Sequence, residues 1–171
     1  MKAKSLGLAV LLAALATSAL AQTQFSASSK CAKPDNSQSI EVGDHPGHML
    51  VIEKSSCTWS APVEMGGFKS TGYTSVDTVD AKGATYQVHG YAVLTMESGD
   101  KVFARYSGTG TMKGDIAAAE GTWSYTGGTG KFKGLKGNGT YKGSGASDGS
   151  NETQLQGEYS LPEAGVAAKK K

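Results

Sequence analysis

The residue pattern between Ala84 and Leu161 constrains the fold more than any other feature of the chain. Apolar or small residues alternate with polar ones over long stretches, and Gly, Asp and Asn separate the stretches. A period of two residues is typical of β-strands with one face toward a core. The clearest predicted strands are Ala84–Glu97, Lys101–Lys113, Ala117–Thr126, Lys136–Gly145 and Asn151–Leu161.

Three less regular strands are predicted earlier in the chain, at Met49–Lys54, Cys57–Ser60 and Phe68–Val79. Between the two ends of the chain, the apolar residues show almost no helical periodicity. Some eight strands joined by short turns, such as Gly99-Asp100, favour an antiparallel meander closed on itself. The sequence therefore predicts an all-β fold, an antiparallel β-barrel of about eight strands over residues 40–162.

Glycine is abundant, at 24 of 171 residues. It is unfavourable inside a strand unless it marks a bend, a bulge or a close approach. Many of these glycines fall on the predicted apolar face, two residues from an aromatic residue. Strongly coiled barrel strands need such points, and aromatic rings can lie over them.

Aromatic residues dominate the face that the alternation directs inward. They are Tyr86, Tyr106, Trp123, Tyr125, Tyr141 and Tyr159. No Asp, Glu, Lys or Arg of the five clearest strands shares this face. Such a face either fills a small barrel or lines an apolar cavity. We favour the filled interior, and the six residues are the candidate ligand-binding set if the interior is open.

The N-terminus has the layout of a secretory signal peptide. Lys2 and Lys4 precede an apolar run, Leu6–Ala16, and Ala19–Ala21 supplies small residues at the cleavage position. The run is short for a membrane-spanning helix, which needs about 20 residues. We expect residues 1–21 to be cleaved and the protein to be secreted or periplasmic rather than membrane-spanning.

Both ends of the mature chain look unstructured. Residues 22–39 are polar and contain Pro34, so we expect a flexible N-terminal arm ahead of the barrel. Residues 163–171 form an Ala, Gly and Lys tail that ends in three lysines, and we expect it to be disordered.

The charge of the mature chain excludes one class of partner. Removing Lys2 and Lys4 leaves 15 of the 17 Lys and Arg residues, which balance the 15 Asp and Glu residues. No basic stripe is present beyond Lys169–Lys171, so we expect no nucleic-acid partner.

The chain has two cysteines, Cys31 and Cys57. An even number in an exported chain favours a structural disulfide. A redox thiol pair and a metal site are the alternatives, but the C-x-x-C spacing typical of both is missing.

Glycine-rich strings beginning at Gly108, Gly128 and Gly137 superficially resemble nucleotide-binding motifs. Each reads G-x-G-x-x-x-G, one residue too long for the dinucleotide fingerprint, and no strand–helix unit surrounds any of them. The string Gly145–Gly149 matches G-x-S-x-G but lies in a polar hairpin rather than at a strand–helix elbow. We therefore predict no cofactor.

The segment from Asp44 to His48 is the densest group of potential metal ligands. His45, His48 and Asp44 offer two imidazoles and a carboxylate, which are ligands for zinc. Pro46-Gly47 makes the segment a turn, and the sequence shows no further strong ligand. We expect a turn entering a strand, with His45 and His48 as weak metal candidates and no metal site.

His89, Glu97 and Arg105 are the remaining candidates for acid–base chemistry. The alternation places His89 and Arg105 on the polar face of their strands. We expect these two to be solvated or to lie at a subunit interface.

The stretch Gly127–Gly137 carries a family resemblance. Its string G-G-T-G-x-F-x-G-x-x-G resembles the signature of the allene oxide cyclase and dirigent barrels, and more closely that of secreted bacterial allene oxide cyclase-like barrel proteins. The closing Gly157–Pro162 and the stretch Gly43–Trp59 fit the same group. The resemblance implies an eight-stranded antiparallel barrel with an apolar cavity, and a trimer as in plant members. It assigns no catalytic residue here.

Three hypotheses on function follow, of which the third is a metal-binding export protein whose melting temperature zinc should raise. The first is an exported barrel that binds a small apolar ligand or serves a structural role. The second is a cofactor-independent isomerase or cyclase acting in the barrel cavity, with tyrosine hydroxyls assisting. A buried ionisable group in an open cavity, such as Glu53 or His48, would favour the enzyme.

Overall fold

A computed structural model describes residues 22–162 of the chain. They form one antiparallel sheet of nine strands and a single 3-10 turn, Gly130–Phe132. The strands are β1 (Thr23–Cys31), β2 (Asn36–Glu41), β3 (His48–Met65), β4 (Phe68–Lys82), β5 (Thr85–Thr95), β6 (Lys101–Lys113), β7 (Ile116–Gly128), β8 (Lys136–Ala146) and β9 (Asn151–Ser160).

The long strand β3 closes the sheet into a barrel. Along one edge it pairs with β4; along the other it pairs first with β2 and then with β1. Because β1 also pairs with β9, the ring is complete, and β1 and β2 share one of its eight positions. The predicted eight-stranded antiparallel barrel is confirmed.

The expected strands agree closely with the observed ones. The five clearest predictions match β5 to β9 to within two residues at each end. The segments predicted at Met49–Lys54 and Cys57–Ser60 are parts of the single strand β3. The strand predicted at Phe68–Val79 continues to Lys82, as β4.

The flexible arm expected at residues 22–39 is instead mostly strand, as β1 and β2. Its polar composition concealed a period of two, because Phe25, Ser29 and Cys31 are buried and their neighbours are exposed. Strand β1 is needed to join β3 to β9. The predicted signal peptide, 1–21, and the predicted tail, 163–171, lie outside the described residues.

One end of the barrel is closed by packed side chains. Its fully buried residues include Met65, Met96, Val102, Phe132 and Leu135. Burying a large apolar side chain stabilises by about 1.5–3 kcal/mol, so this end is the most cohesive part of the core.

The glycine-rich stretch Gly127–Gly137 builds the closed end. The Lys101 N–H donates to Thr129 Oγ1 at 2.8 Å, and the Thr129 N–H donates to the Lys101 carbonyl at 2.8 Å. These bonds tie the stretch to the start of β6. The 3-10 turn then directs Phe132 into the core, where it is fully buried.

The other end of the barrel is open. Its inner wall carries small residues, among them Ala92, Ala104, Ala119 and several glycines, and the aromatic rings do not fill the space left between them. The preference for a filled interior is therefore wrong for this half of the barrel.

Candidate ligand-binding site in the barrel cavity

A cavity of about 590 Å³ occupies the open half of the barrel. Its walls are mainly aliphatic and aromatic, with Val51, Val79, Val88 and Leu155 among them. The loop between β1 and β2 and the turn between β8 and β9, which contains the G-x-S-x-G string, form part of its lining. The size suits a small organic molecule, since ligand pockets typically span about 300–1,000 Å³.

Five of the six candidate aromatic residues line this cavity: Tyr86, Tyr106, Trp123, Tyr125 and Tyr141. The sixth, Tyr159, is buried in the packed core and does not reach the cavity. Tyr73, which the alternation did not single out, also lines it. Its hydroxyl lies 2.9 Å from Ser29 Oγ.

Two carboxyl groups lie side by side in the cavity wall. Glu53 on β3 and Asp77 on β4 are directly opposite each other in the strand register, and both line the cavity. The Tyr106 hydroxyl donates a hydrogen bond to Asp77 Oδ1. Gly90 stands between Asp77 and Tyr106 in the register, and a Cβ atom there would collide with both side chains.

Burial changes the acidity of these groups. It raises the pKa of Asp77 from 3.8 to about 7, and the neighbouring Glu53 carboxylate adds to the rise. Burial also raises the pKa of Glu53, although a hydrogen bond from Ser37 opposes the change. Burial raises the pKa of Tyr141 to about 12, so its hydroxyl stays protonated.

Two polar atoms of the cavity wall lack hydrogen-bond partners within residues 22–162. They are Trp59 Nε1 and the Tyr141 hydroxyl, and both are buried. An unsatisfied buried polar atom costs about 1–3 kcal/mol. A ligand oxygen that accepts from either atom would recover part of this cost.

The arrangement is suited to acid–base chemistry. Asp77 has a pKa near neutrality, so it can donate or accept a proton at ordinary pH. Tyr106 orients its carboxyl group, and Glu53 provides a second carboxyl beside it. This is the buried ionisable group that the enzyme hypothesis requires.

The other candidate residues lie elsewhere. His89, Glu97 and Arg105 are exposed and do not line the cavity. His45 and His48 lie at the rim, at the entry to β3. Cys31 and Cys57 form the predicted disulfide, which is confirmed, and it joins β1 to β3.

The fold and the cavity together define a small antiparallel barrel that encloses an apolar site with a carboxyl pair. Solved structures of two dirigent proteins are similar to this chain. The pterocarpan synthase dirigent protein GePTS1 matches with a TM-score of 0.50 at 11% identity, covering 85% of this chain and 88% of that chain. The pterocarpan synthase dirigent protein PsPTS1 matches with a TM-score of 0.48 at 12% identity, covering 82% of this chain and 96% of that chain.

At such identities the likeness shows the fold alone. The chain therefore shares the antiparallel barrel fold of GePTS1, which is the fold that the string at Gly127–Gly137 led us to expect. No family model and no curated protein sequence matches the chain.

Proposed function

We propose that the protein binds a small organic molecule in the barrel cavity, one that is mainly apolar and carries at least one oxygen function. The open apolar cavity with Asp77 and Tyr106 in its wall supports this proposal most directly. Aromatic and aliphatic walls favour an apolar body. The carboxyl–tyrosine pair and the unpaired Tyr141 hydroxyl favour a carbonyl or hydroxyl group on it.

Titration with a hydrophobic fluorescent dye tests the cavity as a binding site. In the variant Ala119→Phe, an added ring narrows the cavity, and we expect at least tenfold weaker dye binding. Arg105→Ala changes an exposed residue that does not line the cavity, so it serves as the control. Equal dye affinity of Ala119→Phe and the wild type would place the binding site elsewhere.

A second candidate function is a cofactor-independent isomerase or cyclase. Two observations on Asp77 favour it. Its pKa is raised to about 7, and its carboxyl group lies beside that of Glu53. A carboxyl group that titrates near neutrality can act as acid or base, and a second carboxyl group beside it can take the complementary role. Asp77 would protonate or deprotonate a substrate held against the apolar wall.

Deuterium incorporation tests the enzyme even while its substrate is unidentified. Extracts of small molecules from the host are incubated in D₂O with the wild type or with Asp77→Asn. An isomerase that moves a proton through Asp77 yields a deuterated or shifted compound with the wild type alone. If both proteins leave every compound unchanged, catalysis through Asp77 is contradicted for the molecules sampled.

We also propose that the protein is exported. The layout of residues 1–21 supports this proposal, and so does the disulfide, which is typical of oxidising compartments. Within residues 22–162, no helix is long and apolar enough to cross a membrane. Intact mass spectrometry of the protein from its host tests the prediction, because cleavage after Ala21 gives a chain that begins at Gln22.

An apolar outer surface supports self-association, as a trimer by the family resemblance. Strands β2 to β5 expose six apolar side chains on the outside of the barrel. They are Ile40, Leu50, Ile52, Val76, Tyr91 and Val93. A soluble monomer rarely leaves a large apolar patch in water.

Light scattering after size-exclusion chromatography tests this assembly. We expect three times the mass of one chain for the wild type and a smaller mass for Ile52→Glu. Ile116 is also an exposed apolar residue, but it lies on β7, outside this surface. Ile116→Glu is therefore the control, and a monomeric wild type would contradict the proposal.

A further inference from the structure

A cluster of metal-ligating side chains lies at the rim of the barrel, outside the cavity. Asp44 and His45 belong to the loop before β3, and His48 is the first residue of β3. One ligand atom from each of the three residues lies within 4.8 Å of the other two. Two of the three histidines of the chain are therefore in this cluster.

The loop folds so that the two imidazoles face one carboxylate. The backbone N–H of His48 donates to the backbone carbonyl of His45 at 3.2 Å, and Gly47 between them has a φ of +72°. This turn brings the two rings to a centroid distance of 6.3 Å. Asp44 Oδ2 lies 2.9 Å from His45 Nδ1, and Asp44 Oδ1 contacts His48 Nδ1.

A second carboxylate fixes the orientation of His48. Asp80 reaches across from β4, and its Oδ1 lies 2.9 Å from His48 Nε2. His48 Nε2–H donates to Asp80 Oδ1 and Nδ1–H donates to Asp44 Oδ1, so a metal ion bound by Nδ1 and Asp44 would take the place of the Nδ1 proton. Histidines that bind metals usually donate the other ring N–H to a carboxylate in this way.

Burial and charge also favour a cation at this place. The side chain of His48 is only 7% exposed, so its ring is held rigidly, whereas His45 is 72% exposed and accessible. Asp44 and Asp80 carry two negative charges. Lys82, opposite His48 in the register, offsets one of them, so the cluster remains anionic when the imidazoles are neutral.

We propose that Asp44, His45 and His48 bind a divalent transition-metal ion such as Zn²⁺, with Asp80 as the residue that positions His48. Two imidazole nitrogens and one carboxylate oxygen are the ligand types that Zn²⁺ accepts. Three protein ligands leave a fourth tetrahedral position for water or for an exogenous ligand at the rim.

Isothermal titration of the untagged chain with Zn²⁺ tests the site, after removal of metal with a chelator. We expect one Zn²⁺ per chain, and no comparable binding of Mg²⁺, which prefers oxygen ligands. His45→Ala should weaken the affinity at least tenfold. His89→Ala is the matched control, because His89 is exposed on β5, and it should leave the affinity unchanged.

Asp80→Asn tests the positioning role, and a loss of about 10–100-fold in affinity is expected for such an outer partner. The visible absorption of bound Co²⁺ reports on the ligands of the metal, so a residue with a merely structural role would not change it. We expect the intense visible absorption of a tetrahedral site in the wild type and its loss in His45→Ala. His45 is exposed, so this variant should fold; circular dichroism without metal checks that it does.

Two results would overturn the proposal. One is Zn²⁺ binding of the same affinity in the wild type and in His45→Ala. The other is the absence of Zn²⁺ binding in the wild type, which would leave His48 as the centre of an ion-paired cluster between Asp44 and Asp80.

Discussion

Asp77 makes the stability of the fold depend on pH. Burial and the Glu53 carboxylate raise its pKa from 3.8 to about 7 in the folded state. Between these values the folded protein holds a proton that the unfolded chain has released. The free energy of unfolding therefore falls as the pH rises through this window.

We expect the wild type to lose about 2 kcal/mol of stability between pH 5 and pH 8. In Asp77→Asn the loss should be much smaller, because the amide does not ionise. Chemical denaturation at several pH values measures it. Asp115, in the exposed turn between β6 and β7, provides the control Asp115→Asn, which should keep the wild-type dependence. A pH profile of Asp77→Asn identical to that of the wild type would show that Asp77 titrates normally.

The sequence suggested Glu53 as a buried ionisable group but gave no indication of Asp77, because at these positions of β3 and β4 the polar side chains face inward and the apolar ones face outward. On β4 the cavity face carries Ser75 and Asp77, whereas Val76 between them is exposed. On β3, Glu53 faces the cavity and its neighbour Ile52 is half-exposed. Period-two reasoning assigns apolar residues to the inside, so it fails where a polar group is buried for a site. It succeeded on β5 to β8, where the side chains predicted to face inward do line the cavity: Tyr86, Tyr106, Trp123, Tyr125 and Tyr141.

At the scale of single elements, the stretch Gly127–Gly137 has a structural role, which is to close one end of the barrel. Its glycines allow the tight path of the chain, and Phe132 fills the closed end of the barrel. The resemblance carried by this stretch therefore predicted the fold correctly but gave no information about the candidate site, which lies in the other half of the barrel.

We expect Phe132→Ala to lower the free energy of unfolding by about 3–5 kcal/mol, the usual cost of removing a buried aromatic ring. Lys133→Ala, at the exposed neighbouring position, should change it by no more than about 0.5 kcal/mol. Urea denaturation measures both. A loss below about 1 kcal/mol in Phe132→Ala would mean that the closed end repacks around the gap.

The disulfide stabilises the junction between β1 and β3, the shortest strand pairing in the ring. Strands β1 and β3 pair over only three residues each, Ser29–Cys31 against Cys57–Trp59, and the disulfide joins the last of these pairs. Elsewhere in the ring, neighbouring strands pair over longer stretches. The bond therefore holds β1 where few backbone hydrogen bonds do so.

We expect the double variant Cys31→Ser and Cys57→Ser to lose about 3 kcal/mol, as loop-closure entropy predicts for a separation of 26 residues. Thermal unfolding with and without a reductant checks it. The reductant should lower the melting temperature of the wild type and leave that of the double variant unchanged. If the reductant does not lower the melting temperature of the wild type either, backbone pairing alone holds β1 against β3.

At the scale of the whole molecule, the closed end and the open end should differ in local stability. Strand β2 lies at the open end, all six of its residues are exposed, and it pairs with β3 alone. A strand with one free edge and no buried side chain opens at little cost.

Hydrogen exchange followed by mass spectrometry should find peptides covering Asn36–Glu41 fast and peptides covering Lys101–Lys113 slow. Strand β6 is the internal standard, because it is paired on both edges and Val102 is fully buried. Slow exchange in β2 would show that its free edge is covered in solution.

For a molecule bound in the cavity, the packed side chains of the closed end would leave the open end as the single route of exchange. Because the cavity has one opening, a second molecule cannot enter and displace a bound molecule through the opposite end. Each ligand must leave by the route through which it entered, before the next one can bind. The rate of release should then be a property of the occupant alone, the same at any concentration of a competitor.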